Sequence, residues 1–225
     1  MLCLVACEES QAITKQLRLL GHTAFSCDLQ ECSGGFPEWH ILGDCLAFIN
    51  GNCNFITQDG NSHCISDKWD LIIAHPPCTY LSFAGNKYFN VEKYGDKAKI
   101  RYQLREKAME FFMHVWNCNC DHLAVENPVG YPNIKFRKPD QIINPFLFGD
   151  SERKRTCLWI RGLPLLLPDY QIAAPEPIAY RGGKARYFTE MCSSSDRQKQ
   201  RSKTFEGIAR AMAYQYTCNF YVDGV

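Results

Sequence analysis

The first part of the chain arranges apolar and polar positions in a way that predicts a strand, a helix and a second strand. Leu2–Ala6 is a short apolar run, which is typical of a buried strand. Apolar side chains then recur at helical spacing between Ser10, which can cap a helix, and Gly21, which can end it. Residues 23–27 predict the second strand, and Asp28 follows it directly.

Further along the chain, the same two periodicities predict three more strands and two more helices. The strands are expected at residues 69–74, 122–126 and 156–160, and the helices at residues 100–115 and 205–216. Residues 50–68 are polar and rich in Gly and Asn, which predicts a surface loop. Residues 162–203 are rich in Pro, Gly and charged residues, which predicts a loop-rich insertion.

Strands that alternate with helices predict an α/β fold in which the sheet is mostly parallel. A strand–helix–strand unit followed by an acidic residue is typical of a Rossmann-like sheet, where the carboxylate meets the hydroxyls of a ribose. Asp28 has that position, and Asp44 places another carboxylate at a turn. We expect one catalytic domain made of residues 1–161 and 204–225, with residues 162–203 inserted into it.

The composition narrows the class of protein. The chain has 225 residues, of which 46% are hydrophobic and 22% charged, so it can bury a core. A formal net charge of +1 provides no global field for nucleic acid, so any polyanion site must be a local patch. The thirteen cysteines are odd in number and scattered, which favours free thiols in a reducing cytosol. Cys53, His63 and Cys64 are too few for a zinc site, and we expect no metal.

The sequence also predicts where in the cell the protein is located. The N-terminal apolar stretch ends at Glu8 and Glu9, which makes it too short for a signal peptide. No segment approaches the roughly 18 apolar residues that a transmembrane helix needs. We therefore expect an intracellular, soluble protein of the cytoplasm.

Candidate chemistry lies at the ends of two predicted strands. The first is followed by Pro76 and Pro77, which force the chain into an extended turn that opens at Cys78. The next strand ends in Glu126. The carboxyl ends of neighbouring strands in such a sheet border the ligand crevice. A thiol and a carboxylate placed there provide the nucleophile and the acid that attack on a pyrimidine ring requires.

These residues resemble the motifs of the DNA cytosine-C5 methyltransferases, particularly the small members encoded by phages and prophages. The matching segments are Pro77-Cys78-Thr79-Tyr80-Leu81-Ser82 for the Pro-Cys motif, Glu126-Asn127-Pro128 for the Glu-Asn-Val motif, Ser151-Glu152-Arg153-Lys154-Arg155 for the Gln-x-Arg-x-Arg motif, and residues 205–213 for the closing helix. The matches follow the family's order across nearly the whole chain. The resemblance implies a Rossmann-like, S-adenosylmethionine-dependent methyltransferase fold with a very small recognition insertion.

A mechanism is implied by the same resemblance. The Cys78 thiolate would add to C6 of cytosine, so that C5 can attack the methyl group of S-adenosylmethionine. Glu126 would hold the N3 edge of the base and supply the proton that stabilises the adduct. Arg153 and Arg155, alternating along a strand, would share one face, raise the local positive potential and orient Glu126. The base would leave the duplex to reach these groups.

The resemblance further implies a set of contacts with S-adenosylmethionine. These contacts are Ala6, Cys7, Ser10, Asp28, Asp44 and Pro76, with the two aspartates on the ribose and the adenine. The family has a Phe-x-Gly-x-Gly turn, whereas residues 6–11 of this chain contain no glycine, so side chains crowd the approach of the cofactor. Ser151 also occupies the position at which the family has Gln.

The expected partner is DNA or a cytosine-containing nucleotide. Arg181, Lys184 and Arg186 are the candidate nucleic-acid contacts in the insertion. Phosphate contacts of this kind give an affinity that depends on salt and not on base sequence. Because the insertion is short, we expect a short or relaxed target site, or a target that is not duplex. No feature of the sequence bears on the oligomeric state.

Three alternatives remain open at this level. The same chemistry could serve a single-stranded nucleic acid or a free cytosine nucleotide. Residues 75–77 could be the turn of an amino-methyltransferase, although that turn usually begins with Asp or Asn and would leave Cys78 without a role. The glycine-free turn could instead belong to a non-catalytic binding protein, or decoy, on a methyltransferase scaffold.

Overall fold

A seven-stranded sheet forms the centre of the computed structural model, which describes residues 1–187 and 204–218. The strands are β1 (Leu2–Ala6), β2 (Thr23–Asp28), β3 (His40–Leu42), β4 (Cys53–Ile56), β5 (Ser62–Ile65), β6 (Leu71–Ala74), β7 (Leu123–Pro128), β8 (Gln141–Ile143), β9 (Thr156–Arg161), β10 (Ala179–Arg181) and β11 (Lys184–Arg186). The helices are α1 (Ala12–Leu19), α2 (Val91–Tyr94), α3 (Asp96–Trp116), α4 (Pro132–Lys135) and α5 (Glu206–Cys218).

The central sheet has the order β3-β2-β1-β6-β7-β9-β8. The first five strands of this order run parallel, and β9 is antiparallel to both of its neighbours. Counted within this sheet alone, the strand order is 3-2-1-4-5-7-6, which is the Rossmann order with one strand inserted in the opposite direction. The structure therefore confirms an α/β fold with a mostly parallel sheet, and the order is compatible with a Rossmann-like fold.

Helices cover both faces of the sheet. Phe112 of α3 packs on the same face as Ile72 of β6. Ile13 of α1 and Met212 of α5 pack on the opposite face, with Ile73 of β6. Because β6 is buried on both sides, all of its side chains are apolar, as is usual in the middle of a parallel sheet.

The prediction of a surface loop at residues 50–68 is wrong, because these residues contain the hairpin β4–β5. The ring of Phe55 lies 5.1 Å from that of Phe25 and 6.3 Å from that of Trp69, centroid to centroid, so the hairpin extends the core. Its turn carries Asp59 and Gly60, a pair typical of tight hairpin turns. Because many of these residues are polar, the sequence pattern does not indicate the two short strands.

A second difference is β8, an edge strand in a stretch for which no regular element was predicted. It is only three residues long, and Ile143 is buried whereas Ile142 is exposed. The element is too short for its alternation to be recognised in the sequence. The strands expected at residues 23–27, 69–74, 122–126 and 156–160, and the two later helices, are confirmed to within a few residues at their ends.

Part of the predicted insertion can be described, namely residues 162–187, which include the β10–β11 hairpin. Residues 188–203 of the predicted nucleic-acid segment lie outside the described residues. In the part of the chain that the structure describes, none of the helices has both the length and the apolar surface needed to cross a bilayer.

Candidate active site

The carboxyl ends of β1, β6 and β7 meet at one edge of the sheet. The strand order reverses between β1 and β6, and ligands of open α/β sheets bind outside the strand ends at such a point. The His75 amide donates a hydrogen bond of 2.9 Å to the Ala6 carbonyl, which fixes the end of β6 to the end of β1. Val125 pairs with Ala74, so Glu126 follows on β7 where His75 follows on β6.

Cys78 lies in the turn that follows β6 and is half-buried. Its carbonyl oxygen accepts hydrogen bonds from the amides of Leu81 (3.1 Å) and Ser82 (2.9 Å), so the chain turns back immediately after the thiol. The two prolines that precede it hold the backbone extended up to this point. The thiol is thus carried on a turn whose shape is set on both sides.

This turn is fastened to the segment that follows β7. The Asn127 side chain donates a hydrogen bond of 2.7 Å to the Pro76 carbonyl, and Ser82 forms a β-bridge with Gly130. A Cβ atom on Gly130 would lie 2.2 Å from the Leu81 carbonyl oxygen, so the close approach of the two segments requires glycine there. The structure therefore brings the predicted nucleophile and the predicted acid onto one connected framework.

Glu126 is paired with His75, a residue that the sequence analysis did not select as functional. Nδ1 of His75 donates a hydrogen bond of 3.1 Å to Oε2 of Glu126, and the two side chains are only 9% and 16% exposed. Among the described residues, neither Oε1 of Glu126 nor Nε2 of His75 has a hydrogen-bond partner. Buried polar atoms left without a partner are uncommon in proteins and are typical of places where a ligand binds.

The two side chains line a small cavity of about 10 Å³. Its other lining residues are Lys154, Thr156, Thr204, Phe205, Ile208 and Met212, and Cys78 is not among them. A space of this size holds about one water. The cavity as it stands is too small for a pyrimidine ring.

The pKa of Glu126 lies below its ordinary value. Burial raises it, but the hydrogen bond from His75 and the positive charge of Lys154 lower it by more. Glu126 is therefore ionised at neutral pH, beside two groups that can carry positive charge.

The expectation that Arg153 and Arg155 alternate along a strand is wrong. Both residues precede β9, which begins at Thr156, so no strand alternation places them on a common face. Both are exposed, and the Arg153 guanidinium lies 5.7 Å from the centre of the Phe146 ring. The cation that reaches the Glu126 cavity is the residue between them, Lys154.

A second buried carboxylate, Glu8, lies in the turn after β1. It accepts hydrogen bonds from the amides of Ile13 (2.7 Å) and Thr14 (3.3 Å) and from the Thr14 hydroxyl (2.7 Å). Glu8 therefore caps α1, and the prediction that Ser10 does so is wrong. Burial raises the pKa of Glu8, and the charge of His75 together with these hydrogen bonds offsets only part of the increase.

The turn at residues 6–11 contains no glycine, but two of its residues have backbone conformations that glycine usually adopts. Cys7 and Gln11 both have left-handed conformations, with φ of 60° and 57°, which non-glycine residues adopt at a cost. The Gln11 side chain donates hydrogen bonds to the Ser26 hydroxyl and the Phe36 carbonyl and accepts one from the Phe36 amide. A Cβ atom on Gly34 would lie 2.5 Å from the Gln11 side chain. The side chain of Gln11 thus fills space beside the turn and holds the next loop against it.

The remaining predicted cofactor contacts lie around this turn. Ala6 and Pro76 are buried, and Ser10 is half-buried. Asp28 and Asp44 lie at neighbouring strand ends, and each carboxylate accepts a hydrogen bond from a backbone amide of its own turn, at Gln30 and Leu46 respectively. The Gly43 amide donates to the Asp28 carbonyl at 2.9 Å, which keeps the two turns side by side.

Two arginines of α3 approach the Cys78 turn, and the sequence analysis missed both. Arg101 donates a hydrogen bond to the Thr79 carbonyl (2.9 Å) and Arg105 to the Tyr80 carbonyl (3.1 Å). Their guanidinium groups also lie over aromatic rings, with Arg105 3.4 Å from the centre of the Phe89 ring. The spacing of the two arginines, one helical turn apart, is the signal that could have identified them.

The candidate contacts of the insertion lie on the β10–β11 hairpin, where Arg181 pairs in register with Lys184 and Arg186 with Ala179. No group of three or more His, Cys, Asp or Glu side chains within residues 1–187 and 204–218 is placed to hold a metal ion. His63 instead packs its ring on that of Phe55.

The chain was also compared with known proteins. No family model matches it. No curated protein is significantly similar to it.

Proposed function

We propose that this protein transfers a methyl group from S-adenosylmethionine to C5 of cytosine in DNA, with Cys78 as the nucleophile. The observation that carries the proposal is the buried Glu126 carboxylate with its unpartnered Oε1, on the strand whose end is fastened to the Cys78 turn. The mixed, mostly parallel sheet agrees with the fold that the sequence resemblance implies.

Each residue has a distinct part in the reaction. The Cys78 sulfur forms a bond to C6, and the electron pair of the C5–C6 double bond makes C5 nucleophilic. Oε1 of Glu126 faces the Watson–Crick edge of the ring, where it accepts a hydrogen bond from the exocyclic amine. Lys154 lowers the energy of the negative charge at this site. Loss of the C5 proton and elimination of the thiolate then restore the ring and the enzyme.

The residues around the turn after β1 fit a cofactor that lacks phosphate. In Rossmann-type dinucleotide sites the pyrophosphate binds at the N-terminus of the first helix. Here the carboxyl group of Glu8 already occupies the N-terminus of α1 and accepts the hydrogen bonds of the Ile13 and Thr14 amides that a phosphate would need. S-adenosylmethionine carries a positive sulfonium centre and no phosphate, and it supplies the electrophilic methyl group. Asp28 and Asp44, at the next two strand ends, would hold its ribose and adenine.

The surroundings of Cys78 favour a nucleic acid with unpaired bases. Arg101 and Arg105 combine positive charge with aromatic rings, among them the exposed ring of Tyr88, beside the turn that carries the thiol. Such combinations bind single strands through phosphate contacts and base stacking. Single-stranded DNA is therefore the second candidate acceptor, with the same chemistry.

The proposal is tested with tritiated S-adenosylmethionine and three acceptors, which are duplex DNA, single-stranded DNA and a cytosine nucleotide. We expect label on C5 of cytosine, and a covalent adduct when the acceptor contains 5-fluorocytosine. Cys78→Ala should abolish both, whereas Cys64→Ala, which removes an exposed thiol of β5, should abolish neither. Wild-type transfer by Cys78→Ala would overturn the assignment. Absence of cofactor binding in calorimetry would favour the decoy alternative.

A further inference from the structure

His75 is hydrogen-bonded to one buried carboxylate and acts electrostatically on a second, at the point where the sheet changes its strand order. Its Nδ1 is hydrogen-bonded to Oε2 of Glu126, and its charge also acts on Glu8. Its Nε2 is buried and has no partner among the described residues. The ring is thus held at one nitrogen and available at the other.

The charged groups around His75 come from three elements. Glu8 belongs to the turn after β1, Glu126 to β7, and Lys154 to the segment before β9. The helix packed over them, α5, contributes only apolar side chains to the cavity, such as Ile208 and Met212. Two carboxylates therefore share this site with one lysine and one imidazole.

We propose that His75 is a positioning residue which stores, within the His75–Glu126 pair, the proton that the pyrimidine ring takes up when Cys78 attacks it. This inference rests on the proposed function and deepens it, because it states which residues hold the proton before it reaches the ring. Glu126 is ionised and cannot supply a proton alone, whereas the pair can.

The proton balance is complete without any further reactant. When the sulfur–C6 bond forms, the electron pair displaced from the ring is taken up at N3, which binds a proton. That proton comes from the pair, passing from Nδ1 of His75 across the hydrogen bond to Glu126 and then to the ring, and it leaves a neutral imidazole beside an ionised carboxylate. When the thiolate is eliminated and the C5–C6 double bond re-forms, N3 returns its proton to the pair, and the C5 proton leaves to solvent water.

If His75 had only a structural role, an amide side chain in its place would be sufficient. The side chain of Asn or Gln can donate the same hydrogen bond to Oε2 of Glu126, but it cannot carry a proton in the neutral pH range. His75→Asn therefore separates the two roles. His114→Asn is the matched control, because His114 is an exposed histidine on α3.

The test is the pH profile of kcat for methyl transfer. Because Asn carries no proton that it can give in this range, we expect the basic limb of the profile to move to lower pH in His75→Asn. At pH 8 kcat should fall by at least about tenfold, with a smaller change in KM. His114→Asn should keep the wild-type limb. An unmoved limb in a folded His75→Asn variant, or in His75→Gln if the former does not fold, overturns the inference and leaves the proposed function intact.

A measurement without substrate distinguishes failure of this inference from failure of the proposed function. In the wild type the Nδ1 proton of His75, bound to a carboxylate, should give a downfield proton resonance that Glu126→Gln removes. If the wild type transfers no methyl group, the proton-storage role falls with the proposed function, whatever the resonance shows. If transfer occurs and the resonance is unaffected by Glu126→Gln, only the inference is overturned.

Discussion

The turn after β1 and the end of β7 each bury a glutamate, but the two carboxylates are held in different ways. Glu8 accepts three hydrogen bonds from Ile13 and Thr14, all from uncharged donors. Glu126 accepts one, from His75, and keeps Oε1 without a partner among the described residues. The pKa of Glu8 is raised by burial, whereas that of Glu126 is lowered because His75 and Lys154 outweigh its burial.

The difference separates a structural carboxylate from one that is available to a ligand. Every hydrogen bond made by Glu8 stabilises the first turn of α1, and its two oxygens are both used. Glu126 gains its ionised state from charged neighbours and has an oxygen left over. We infer that the two glutamates respond differently to substitution.

The largest difference is expected in catalysis. Glu126→Gln should lower kcat for methyl transfer by about 10²- to 10⁴-fold, and Glu8→Gln by less than about tenfold, because only Glu126 is proposed to face the base. The measurement is single-turnover transfer of labelled methyl to the preferred acceptor. Equal losses in the two variants would contradict the distinction.

An intermediate difference is expected in stability. Glu8→Ala leaves the amides of Ile13 and Thr14 without their acceptor and should cost about 1–3 kcal/mol of the free energy of unfolding. Glu8→Gln should cost less, because the amide keeps an oxygen for the Ile13 amide and can donate to the Thr14 hydroxyl. Urea unfolding at pH 7 measures both. Glu9→Ala is the control, and a cost as large as that of Glu8→Ala would count against the cap.

The smallest difference concerns the pH dependence of stability, where the two variants should have opposite signs. Glu126, with a lowered pKa, stabilises the fold above the usual carboxyl range near 4.3, and this contribution is lost as the pH falls through that range. Glu8, with a raised pKa, disfavours the folded state increasingly as the pH rises through and above the same range.

Unfolding measured between about pH 3 and pH 7 therefore checks the signs. Relative to the wild type, Glu126→Gln should be most destabilised at neutral pH. Glu8→Gln should compare best with the wild type at neutral pH and worst in acid. Parallel curves for the two variants would show that the surroundings of the two carboxylates do not differ as described.

Long periodic segments could be predicted from the sequence because their pattern reports burial directly. The apolar run of β6 and the amphipathic pattern of α3 are examples, since each follows from the side of the element that faces the core. The hairpin β4–β5 and the edge strand β8 could not be predicted in this way. They are short, and tertiary contacts such as those of Phe55 hold them in place.

The positions of Cys78 and Glu126 at the ends of strands could be predicted from the sequence, but the charged groups around Glu126 could not. Cys78 follows one predicted strand and Glu126 ends the next, so their common edge of the sheet could be inferred. That Lys154 and not Arg153 reaches Glu126 depends on where β9 begins, which a pattern fixes only to within a few residues. The role of His75 could not be identified from the sequence, because its pairing with Glu126 depends on the register of β6 and β7.

The direction of β9 determines how much of the following segment can meet a target. Since β9 runs opposite to β7, it starts beside Pro128 at the edge that carries the candidate site and ends beside Leu123, about 20 Å away at the other edge. The chain then returns along β8. The Gln141 side chain donates a hydrogen bond to the Leu166 carbonyl and accepts one from the Leu166 amide, and the Ile172 amide donates one to the Phe146 carbonyl. Residues 162–172 are therefore a return path along the outer edge of the sheet. Fewer residues of the short insertion are then left for the proposed contacts with DNA.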